Sequence, residues 1–209
     1  LSPVIPRSKV IGISRNYAEH ASELGNEVPS QPLLFVKPNT SVIGPDEPIV
    51  RPAASSNLHY EGELAIVIGR ICKDVPEQRA QEVIFGFTVA NDVTARDLQN
   101  SDGHWLRAKG ADTFCPLGPW MVTHFSIAEA SHRQIVTRLG GKEVQHGNTD
   151  QMIHTIPKLI SYISSFMTLL PGDVILTGTP AGVGPMELGQ RVEVEIEGIG
   201  TLTNTVVGA

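Results

Sequence analysis

The sequence predicts a β-rich α+β fold in a single domain, with many short strands and a few short helices. Apolar residues make up 41% of the chain and charged residues 18%, which is enough apolar surface for a buried core. Twenty glycines and fifteen prolines divide the chain into short segments. Most apolar segments between them have strand length and contain β-branched or aromatic residues. Because 209 residues fit one domain, we treat 1–209 as a single unit.

Seven segments are predicted to be strands. In chain order they are 33–37, 63–69, 83–93, 120–125, 173–178, 190–200 and 201–207. Within the sixth segment, RVEVEIE alternates strictly between apolar and polar residues, which predicts a strand with one solvated face. Gly198 and Gly200 then predict a tight hairpin turn into the seventh segment.

Two segments, 17–24 and 150–168, are predicted to be helices. In the first, we expect Asn16 to cap the N-terminus, Glu19 to complete a capping box and Gly25 to end the helix. The second is apolar at helical intervals, namely at Ile153, Ile156, Ile160, Ile163 and Phe166.

Composition argues against nucleic-acid and membrane partners. The net charge is −6, and the sixteen Lys and Arg residues are scattered rather than clustered. No apolar segment reaches the roughly 20 residues that cross a bilayer, and the start lacks a signal-peptide pattern. Cys72 and Cys115 are too few for a disulfide framework and too far apart for a CxxC site. We therefore predict a cytoplasmic protein with two buried thiols.

Several familiar catalytic motifs are missing from the sequence. It contains no GxSxG, no HExxH and no GxGxxG after a strand, which argues against serine esterases, zincins and dinucleotide enzymes. The segment TGTPAGVG (177–184) has small residues whose backbone amides could cradle an anion. It lacks the Lys-Ser/Thr ending of a P-loop, so nucleotide binding is not predicted there, and a simple turn remains an alternative.

The stretch HYEGELAIVIG (59–69) begins with two carboxylates separated by a glycine. In an extended chain Glu61 and Glu63 point to the same side, so they repel each other unless a cation or a proton intervenes. Asp92 ends another apolar segment and would provide a third carboxylate. Three carboxylates suit Mg²⁺ or Mn²⁺. The alternatives are a hydrated strand end for the glutamates and a turn residue for Asp92.

His20, Glu23 and Lys109 are the candidate catalytic residues. His20 and Glu23 share one helix face, so the carboxylate could raise the basicity of the imidazole and prepare a general base for water. Lys109 precedes Gly110 in a segment of turn residues and could place a positive charge against an anionic substrate or a developing enolate. The alternatives are a solvated surface pair and an ordinary surface lysine.

In their order along the chain, seven motifs resemble the fumarylacetoacetate hydrolase family. They are RNYAEH, FVKP, HYEGELAIVIG, NDVTARDLQ, RAKGADTFCPLGPW, PGDVILTGTPAGVG and IEGIGTL. The resemblance runs from about Val10 to the C-terminus. It is strongest to the branch of acylpyruvases, oxaloacetate decarboxylases and 2-hydroxyhepta-2,4-diene-1,7-dioate isomerases. Two departures are Ser14, where many relatives have glycine, and the small N-terminal segment of relatives, which we expect to be absent here.

The resemblance implies a mixed β-roll or β-sandwich, usually a homodimer, with a divalent metal at one end. It implies that Mg²⁺ or Mn²⁺ binds to Glu61, Glu63 and Asp92, and that His20, Glu23 and Lys109 are catalytic. It also implies a substrate pocket lined by Arg15, Arg96, Gln99 and Thr179.

The implied substrate is a small 2-oxo acid, bound to the metal and converted through a pyruvate enolate that the metal and Lys109 stabilise. Hydrolysis of a carbon–carbon bond in an acylpyruvate or fumarylpyruvate is the first expectation, because the His20–Glu23 pair then has water to activate. Decarboxylation of oxaloacetate and isomerisation of a dienol diacid use the same enolate and remain alternatives. Less expected are a sugar-acid enzyme and a non-catalytic metal-binding module.

Overall fold

The computed structural model describes residues 1–23 and 25–209. The described residues form fifteen strands and five short α-helices. The strands are β1 (Val10–Ser14), β2 (Leu33–Lys37), β3 (Val42–Ile43), β4 (Ile49–Arg51), β5 (Leu58–Tyr60), β6 (Gly62–Ile68), β7 (Ile84–Asn91), β8 (Thr94–Ala95), β9 (Cys115–Val122), β10 (Gln134–Leu139), β11 (Lys142–Asn148), β12 (Val174–Leu176), β13 (Gly184–Met186), β14 (Arg191–Ile196) and β15 (Gly200–Gly208). The helices are α1 (Ala18–Glu23), α2 (Arg96–Ser101), α3 (Leu106–Lys109), α4 (Ile127–Ala130) and α5 (Ile156–Phe166).

The strands assemble into two large mixed sheets and one small one. The seven-stranded sheet has the order β2-β1-β12-β6-β7-β9-β3, and the five-stranded sheet has the order β11-β10-β14-β15-β4. Strands β13, β5 and β8 form the third sheet. The main core joins the two large sheets and α5, with Leu64 and Phe87 from the first sheet, Val194 and Leu202 from the second, and Ile160 from the helix. This architecture confirms the predicted β-rich fold of sandwich type.

The predicted hairpin near the C-terminus is present, whereas the strand predicted at 120–125 has other bounds. Strand β14 alternates between buried and more exposed residues. Gly198 lies in the turn that follows it, with a φ of 76°, and Gly200, with a φ of 133°, is the first residue of β15. By contrast, the strand predicted at 120–125 begins at Cys115 and ends at Val122. Two prolines in β9 lack the N–H that a strand interior normally donates, and their presence made this segment read as a loop.

The second predicted helix begins later than expected. Residues 149–151 form a short 3-10 turn, and the α-helix itself starts at Ile156. Pro157 is the reason, because a residue without an N–H is tolerated only in the first helical turn.

The first predicted helix is confirmed at its C-terminal end and corrected at its start. Gly25 has a φ of 67°, and its N–H lies 3.0 Å from the Ser22 carbonyl, while Asn26 N–H reaches the Ala21 carbonyl at 2.8 Å. These two bonds are a Schellman motif. Leu24, part of the predicted range 17–24, lies outside the described residues.

The predicted capping box of Asn16 and Glu19 is wrong. The helix begins at Ala18, and Glu19 is exposed. The Asn16 amide donates to the carbonyls of His154 and Thr177 and accepts from the His154 N–H. It therefore joins the start of α1 to two distant segments, a tertiary role that local sequence does not reveal.

The two cysteines differ in burial. Cys115 is buried, as predicted, whereas Cys72 is only half-buried. Among the described residues, no helix combines the length and apolar character needed to span a membrane.

Candidate active site

A cleft of about 500 Å³ opens where β6, α2, α3 and the segment after β12 converge. It brings together eight of the ten residues predicted to form the site: Arg15, His20, Glu61, Glu63, Arg96, Gln99, Lys109 and Thr179. The other two do not line the cleft themselves, but Glu23 contacts His20 at its wall and Asp92 contacts Lys109 at its floor. The distant segments of sequence that carry the motifs are thus neighbours in the fold.

Glu61, Glu63 and Asp92 form a buried carboxylate cluster at the floor of the cleft. In the antiparallel pair β6–β7, Gly62 lies opposite Asn91, so the flanking Glu61 and Glu63 face the end of β7, where Asp92 follows. The Asp92 N–H donates to the Glu61 carbonyl at 2.8 Å. One carboxylate oxygen from each residue lies within 4.8 Å of the others. Strand register therefore explains the convergence of the three acids.

Gly62 separates the two glutamates for a steric reason. A Cβ at this position would lie 2.4 Å from Thr137 Oγ1 and 2.9 Å from Val194 Cγ1, both on the facing sheet. Only glycine allows the second sheet to approach the strand here. The Gly62 N–H also donates to Gln145 Oε1 at 3.1 Å, which ties the ligand-bearing strand to β11.

Three cationic side chains contact two of the three carboxylates. Lys109 Nζ lies 2.7 Å from Glu61 Oε2 and 2.6 Å from Asp92 Oδ2. Arg96 Nη2 lies 2.6 Å from Glu61 Oε1, and the Lys37 ammonium donates to Asp92 Oδ1. Burial alone would raise the pKa of Glu61, but Lys109 and Arg96 hold it well below its usual range. Burial opposes the charge of Lys109, yet Asp92 and Glu61 raise its pKa.

Glu63 differs from the other two carboxylates because no cationic side chain among the described residues pairs with it. It accepts one hydrogen bond, from the Gly178 N–H at 2.7 Å. Burial, followed by the neighbouring charges of Asp92 and Glu61, raises the pKa of Glu63 well above its ordinary value. A buried carboxylate in this position, beside two others, fits a divalent cation with oxygen ligands, so the residues present could hold such an ion.

Backbone N–H groups of the segment 177–184 hold two glutamate side chains of the protein in place. Gly178 donates to Glu63, and the Gly182 N–H donates to both oxygens of Glu23, at 3.1 and 3.2 Å. Thr179 Oγ1 donates to the Gly62 carbonyl and accepts from Gln145 Nε2. The prediction that backbone amides here could cradle an anion is therefore confirmed in an unexpected form, because the anions are glutamate side chains.

His20 and Glu23 form the predicted pair at one wall of the cleft. His20 Nδ1 lies 3.5 Å from Glu23 Oε2, a distance too long for a strong hydrogen bond. Burial lowers the pKa of His20, while Glu61 and Glu23 act in the opposite direction. The imidazole is consequently neutral near pH 7 and can accept a proton. With Nδ1 directed at Glu23, Nε2 is the nitrogen left for a substrate or water.

Arg15 brings a further positive charge to the cleft wall. Its backbone φ is 56°, in the left-handed region that few residues with a side chain adopt. No described residue forms a hydrogen bond or an ion pair with its guanidinium. Such backbone strain is often found at ligand-binding positions, and this unpaired cation suits an anionic ligand.

Reasoning from the sequence missed several residues of the site. Lys37 belongs to the FVKP motif, which marks the resemblance, but the sequence gives it no role. His59 and Trp105 also line the cleft, and burial with the Arg96 charge lowers the pKa of His59 to about 4. Gln145 supports Gly62 and Thr179 from β11. Of these residues, only His59 could have been assigned to the site from its position, because it lies two residues before Glu61 on an extended chain.

Comparisons with known proteins identify similar chains of named activity. A solved 5-carboxymethyl-2-hydroxymuconate delta-isomerase from Mycobacterium smegmatis is 55% identical, with a TM-score of 0.92 over all of this chain and 82% of that one. A 2-hydroxyhepta-2,4-diene-1,7-dioate isomerase from Mycobacterium marinum is 51% identical, with a TM-score of 0.91 over all of this chain and 77% of that one. The human mitochondrial oxaloacetate tautomerase FAHD2A is 43% identical over 99% of this chain and 69% of its own length.

The family comparison covers almost the whole chain. The model of the fumarylacetoacetate (FAA) hydrolase C-terminal family matches residues 9–207. Together with these relatives and the geometry of the cleft, that match shows that the chain belongs to the fumarylacetoacetate hydrolase family.

Proposed function

We propose that this protein is a divalent-metal-dependent enzyme that interconverts the enol and keto forms of a 2-oxo dicarboxylic acid. The observation that carries the proposal is the buried cluster of Glu61, Glu63 and Asp92 at the floor of a cleft that also contains a neutral histidine and an unpaired arginine. A proton acceptor, an anion-binding group and a potential cation site thus face one space. These are the parts that an enolate reaction needs.

The three carboxylates are the proposed ligands of Mg²⁺ or Mn²⁺. When bound, such an ion supplies Lewis-acid stabilisation of the negative charge on an enolate oxygen. The chain itself adds Lys109, whose ammonium lines the cleft beside two of the ligands and is placed to stabilise the same charge. Phe35 covers this ammonium, with the ring centroid 4.9 Å from Nζ, and limits its contact with water.

Arg15 supports a substrate with a second carboxylate. One end of a 2-oxo acid would face the floor of the cleft, and the unpaired guanidinium on the wall would then receive an anionic group at the other end. The three relatives compared above act, by their names, on oxaloacetate or on hydroxy-diene acids, each with at least two carboxylates. A monoanionic substrate would leave Arg15 without a partner.

His20 is the proposed proton carrier. In its neutral form Nε2 can accept the proton of an enol hydroxyl, and the protonated ring can return a proton to the carbon that becomes saturated in the keto form. One proton leaves oxygen and one arrives at carbon, so the atoms and charges balance without another reactant. Glu23 stabilises the imidazolium while it exists, because its carboxylate faces Nδ1.

Hydrolysis of an acylpyruvate is the second candidate, and the His20–Glu23 pair favours it. The same neutral imidazole could activate a water molecule for attack on the distal carbonyl, which was the first expectation from the sequence. The three named relatives are a tautomerase and isomerases, so we rank hydrolysis second for this chain.

The test is to give purified, Mg²⁺-loaded protein three substrates in parallel: enol-oxaloacetate, acetylpyruvate and fumarylpyruvate. Ketonisation of enol-oxaloacetate is followed by loss of ultraviolet absorbance, and a separate assay records release of carbon dioxide. We expect metal-dependent ketonisation to exceed both hydrolysis and decarboxylation. Efficient hydrolysis with no effect on ketonisation would reverse the ranking, and no turnover of any of the three would favour a non-catalytic module.

A further inference from the structure

Two lysines bond the two oxygens of Asp92, one from each side. Lys37, the last residue of β2, donates to Oδ1, and Lys109, the last residue of α3, donates to Oδ2 at 2.6 Å. Both ammonium groups are therefore counter-ions of one proposed metal ligand. Their surroundings differ, and the difference assigns them separate roles.

Lys37 is held behind the cluster. Its side chain is fully buried, it does not line the cleft, and its ammonium also donates to the Val93 carbonyl at 3.3 Å. Its backbone is fixed in the sheet, where it lies opposite Val10 of β1. A lysine without a route to solvent remains bonded to Asp92 Oδ1, and it thereby fixes the carboxylate with Oδ2 on the side of Lys109.

Lys109 lies on the cleft side of the same carboxylate. Its ammonium bridges Asp92 Oδ2 and Glu61 Oε2, so it bonds two of the three residues that would bind a metal ion. It also lines the cleft, which gives the side chain space into which the ammonium can move. A cation that approaches these two oxygens therefore meets the Lys109 ammonium as a competitor.

Charge balance supports this competition. Three carboxylates at the floor face three cationic side chains, namely Lys37, Lys109 and Arg96. With all three carboxylates ionised, as metal binding requires, the cluster is formally neutral, and a divalent ion adds two positive charges to it. Repulsion between the ion and a nearby ammonium in a buried site is strong, so one cation is expected to withdraw.

We infer that Lys109 is an exchangeable counter-ion that competes with the divalent metal for Glu61 and Asp92, whereas Lys37 is a positioning residue that keeps Asp92 ready to bind the metal. The inference rests on the metal site of the proposed function. It gives the two lysines opposite effects on metal affinity, although both carry the same charge and bond the same carboxylate. With a metal ion bound, the Lys109 ammonium would be free to face the substrate.

The test is a titration of the substrate-free protein with Mn²⁺, in which the free ion is measured by electron paramagnetic resonance. Lys109→Met is expected to bind Mn²⁺ about tenfold or more tightly than wild type, since the ion no longer displaces a charge-assisted hydrogen bond. Lys37→Met is expected to bind it about tenfold or more weakly, because Asp92 loses the bond that orients it. Lys109→Arg keeps the charge and is expected to retain weak binding.

Unchanged or weaker binding by Lys109→Met would overturn the inference, as would unchanged binding by folded Lys37→Met. The exposed Lys142 on β11 provides the control, because Lys142→Met removes one charge far from the cluster and should leave the affinity unchanged. Circular dichroism shows whether each variant is folded. If Lys37→Met does not fold, the direction in which Lys109→Met changes the Mn²⁺ affinity still tests the inference. Failure of wild type to bind Mn²⁺ at all would instead contradict the metal site of the proposed function.

Discussion

Glu63 is the residue on which the cluster depends most. Glu61 and Asp92 have protein cations beside them, whereas Glu63 has one backbone N–H and two negative neighbours. A carboxylate in this environment destabilises the metal-free protein when it is ionised. A buried glutamate at this position is therefore best explained by a bound cation, which the protein's own side chains do not provide.

Glu63→Gln should weaken metal binding and stabilise the metal-free protein. The amide keeps the shape of the side chain and can still accept from Gly178, but it removes the repulsion with Asp92 and Glu61. Because the pKa of Glu63 is raised in the folded state, wild type loses stability as pH rises above the ordinary glutamate value of 4.5. We expect the metal-free variant to unfold at a higher temperature than wild type near pH 7, and the difference to shrink toward pH 4.5. Calorimetry checks this, and a less stable variant would contradict it.

His20 should give the reaction an acidic limb at unusually low pH. Burial lowers the pKa of His20, so kcat/KM is expected to fall only below the pH at which a free histidine titrates. Glu23→Gln removes a charge that raises this pKa, so the limb should move to still lower pH. His20→Ala should reduce turnover by roughly 10²–10⁴-fold. Unchanged pH profiles in both variants would assign the pair a purely structural role.

Lys109→Met should reduce turnover although it strengthens metal binding. The variant keeps the length of the side chain but removes the charge that stabilises the enolate, so kcat is expected to fall by roughly 10²-fold or more. Steady-state kinetics on the Mg²⁺-saturated variant measures the effect. Near-normal kcat would show that the lysine only balances charge in the metal-free protein.

At the scale of elements, the segment that follows β12 supports the site. Gly178 has a φ of 96°, and a Cβ there would lie 2.8 Å from the Asn16 Cβ. The close approach joins this segment to the start of α1, where Asn16 bonds Thr177 in turn. Two site glutamates, Glu63 and Glu23, receive hydrogen bonds from the same segment.

Gly178→Ala should destabilise the protein more than an alanine replacement at a glycine that has a positive φ but no close neighbour. Gly189 is the matched control, because its φ is 83° and a Cβ there meets nothing within 4 Å. The left-handed conformation costs about 1–2 kcal/mol for alanine at either position. Gly178→Ala should add a further ~1–3 kcal/mol from overpacking and should weaken Mn²⁺ binding, since the amide that holds Glu63 shifts. Urea unfolding compares the two, and equal losses would contradict the proposed close approach.

The elements that the sequence predicted well are those with a local cause. The alternation in RVEVEIE, the paired glycines of the hairpin and Gly25 at the end of α1 each act within a few residues. Asn16 was misjudged because its partners lie more than 130 residues away. At the site, the acids were predictable from strand alternation and from the resemblance. The bond from Lys37 to Asp92 depends on how β2 packs, which local sequence does not encode.

For the whole molecule, the sandwich brings together segments that are far apart in the sequence, and three clusters of buried apolar residues support them. Strands β6 and β7 and the residues at their ends bring the acids, α2 and α3 bring Arg96 and Lys109, and α1 brings His20. Three sheets and the helix α5 hold these segments in place. A site distributed in this way is expected to form only when the entire domain is folded.

The resemblance also predicts a homodimer, which remains a prediction. Trp120 and Phe85 are large apolar side chains that are more than half exposed in the single chain, as an interface would require. Sedimentation equilibrium should give twice the mass of one chain. A monomer at micromolar concentration would contradict it.

The central claim is that Glu61, Glu63 and Asp92 together bind a divalent metal ion at the floor of the cleft. The most direct measurement is anomalous diffraction at the manganese absorption edge from crystals grown with Mn²⁺. We expect one strong peak within about 2.0–2.3 Å of a carboxylate oxygen from each of the three residues, with the Lys109 ammonium withdrawn from at least one of them. Ordered manganese only elsewhere on the protein, with Lys109 still bridging Glu61 and Asp92, would contradict the claim.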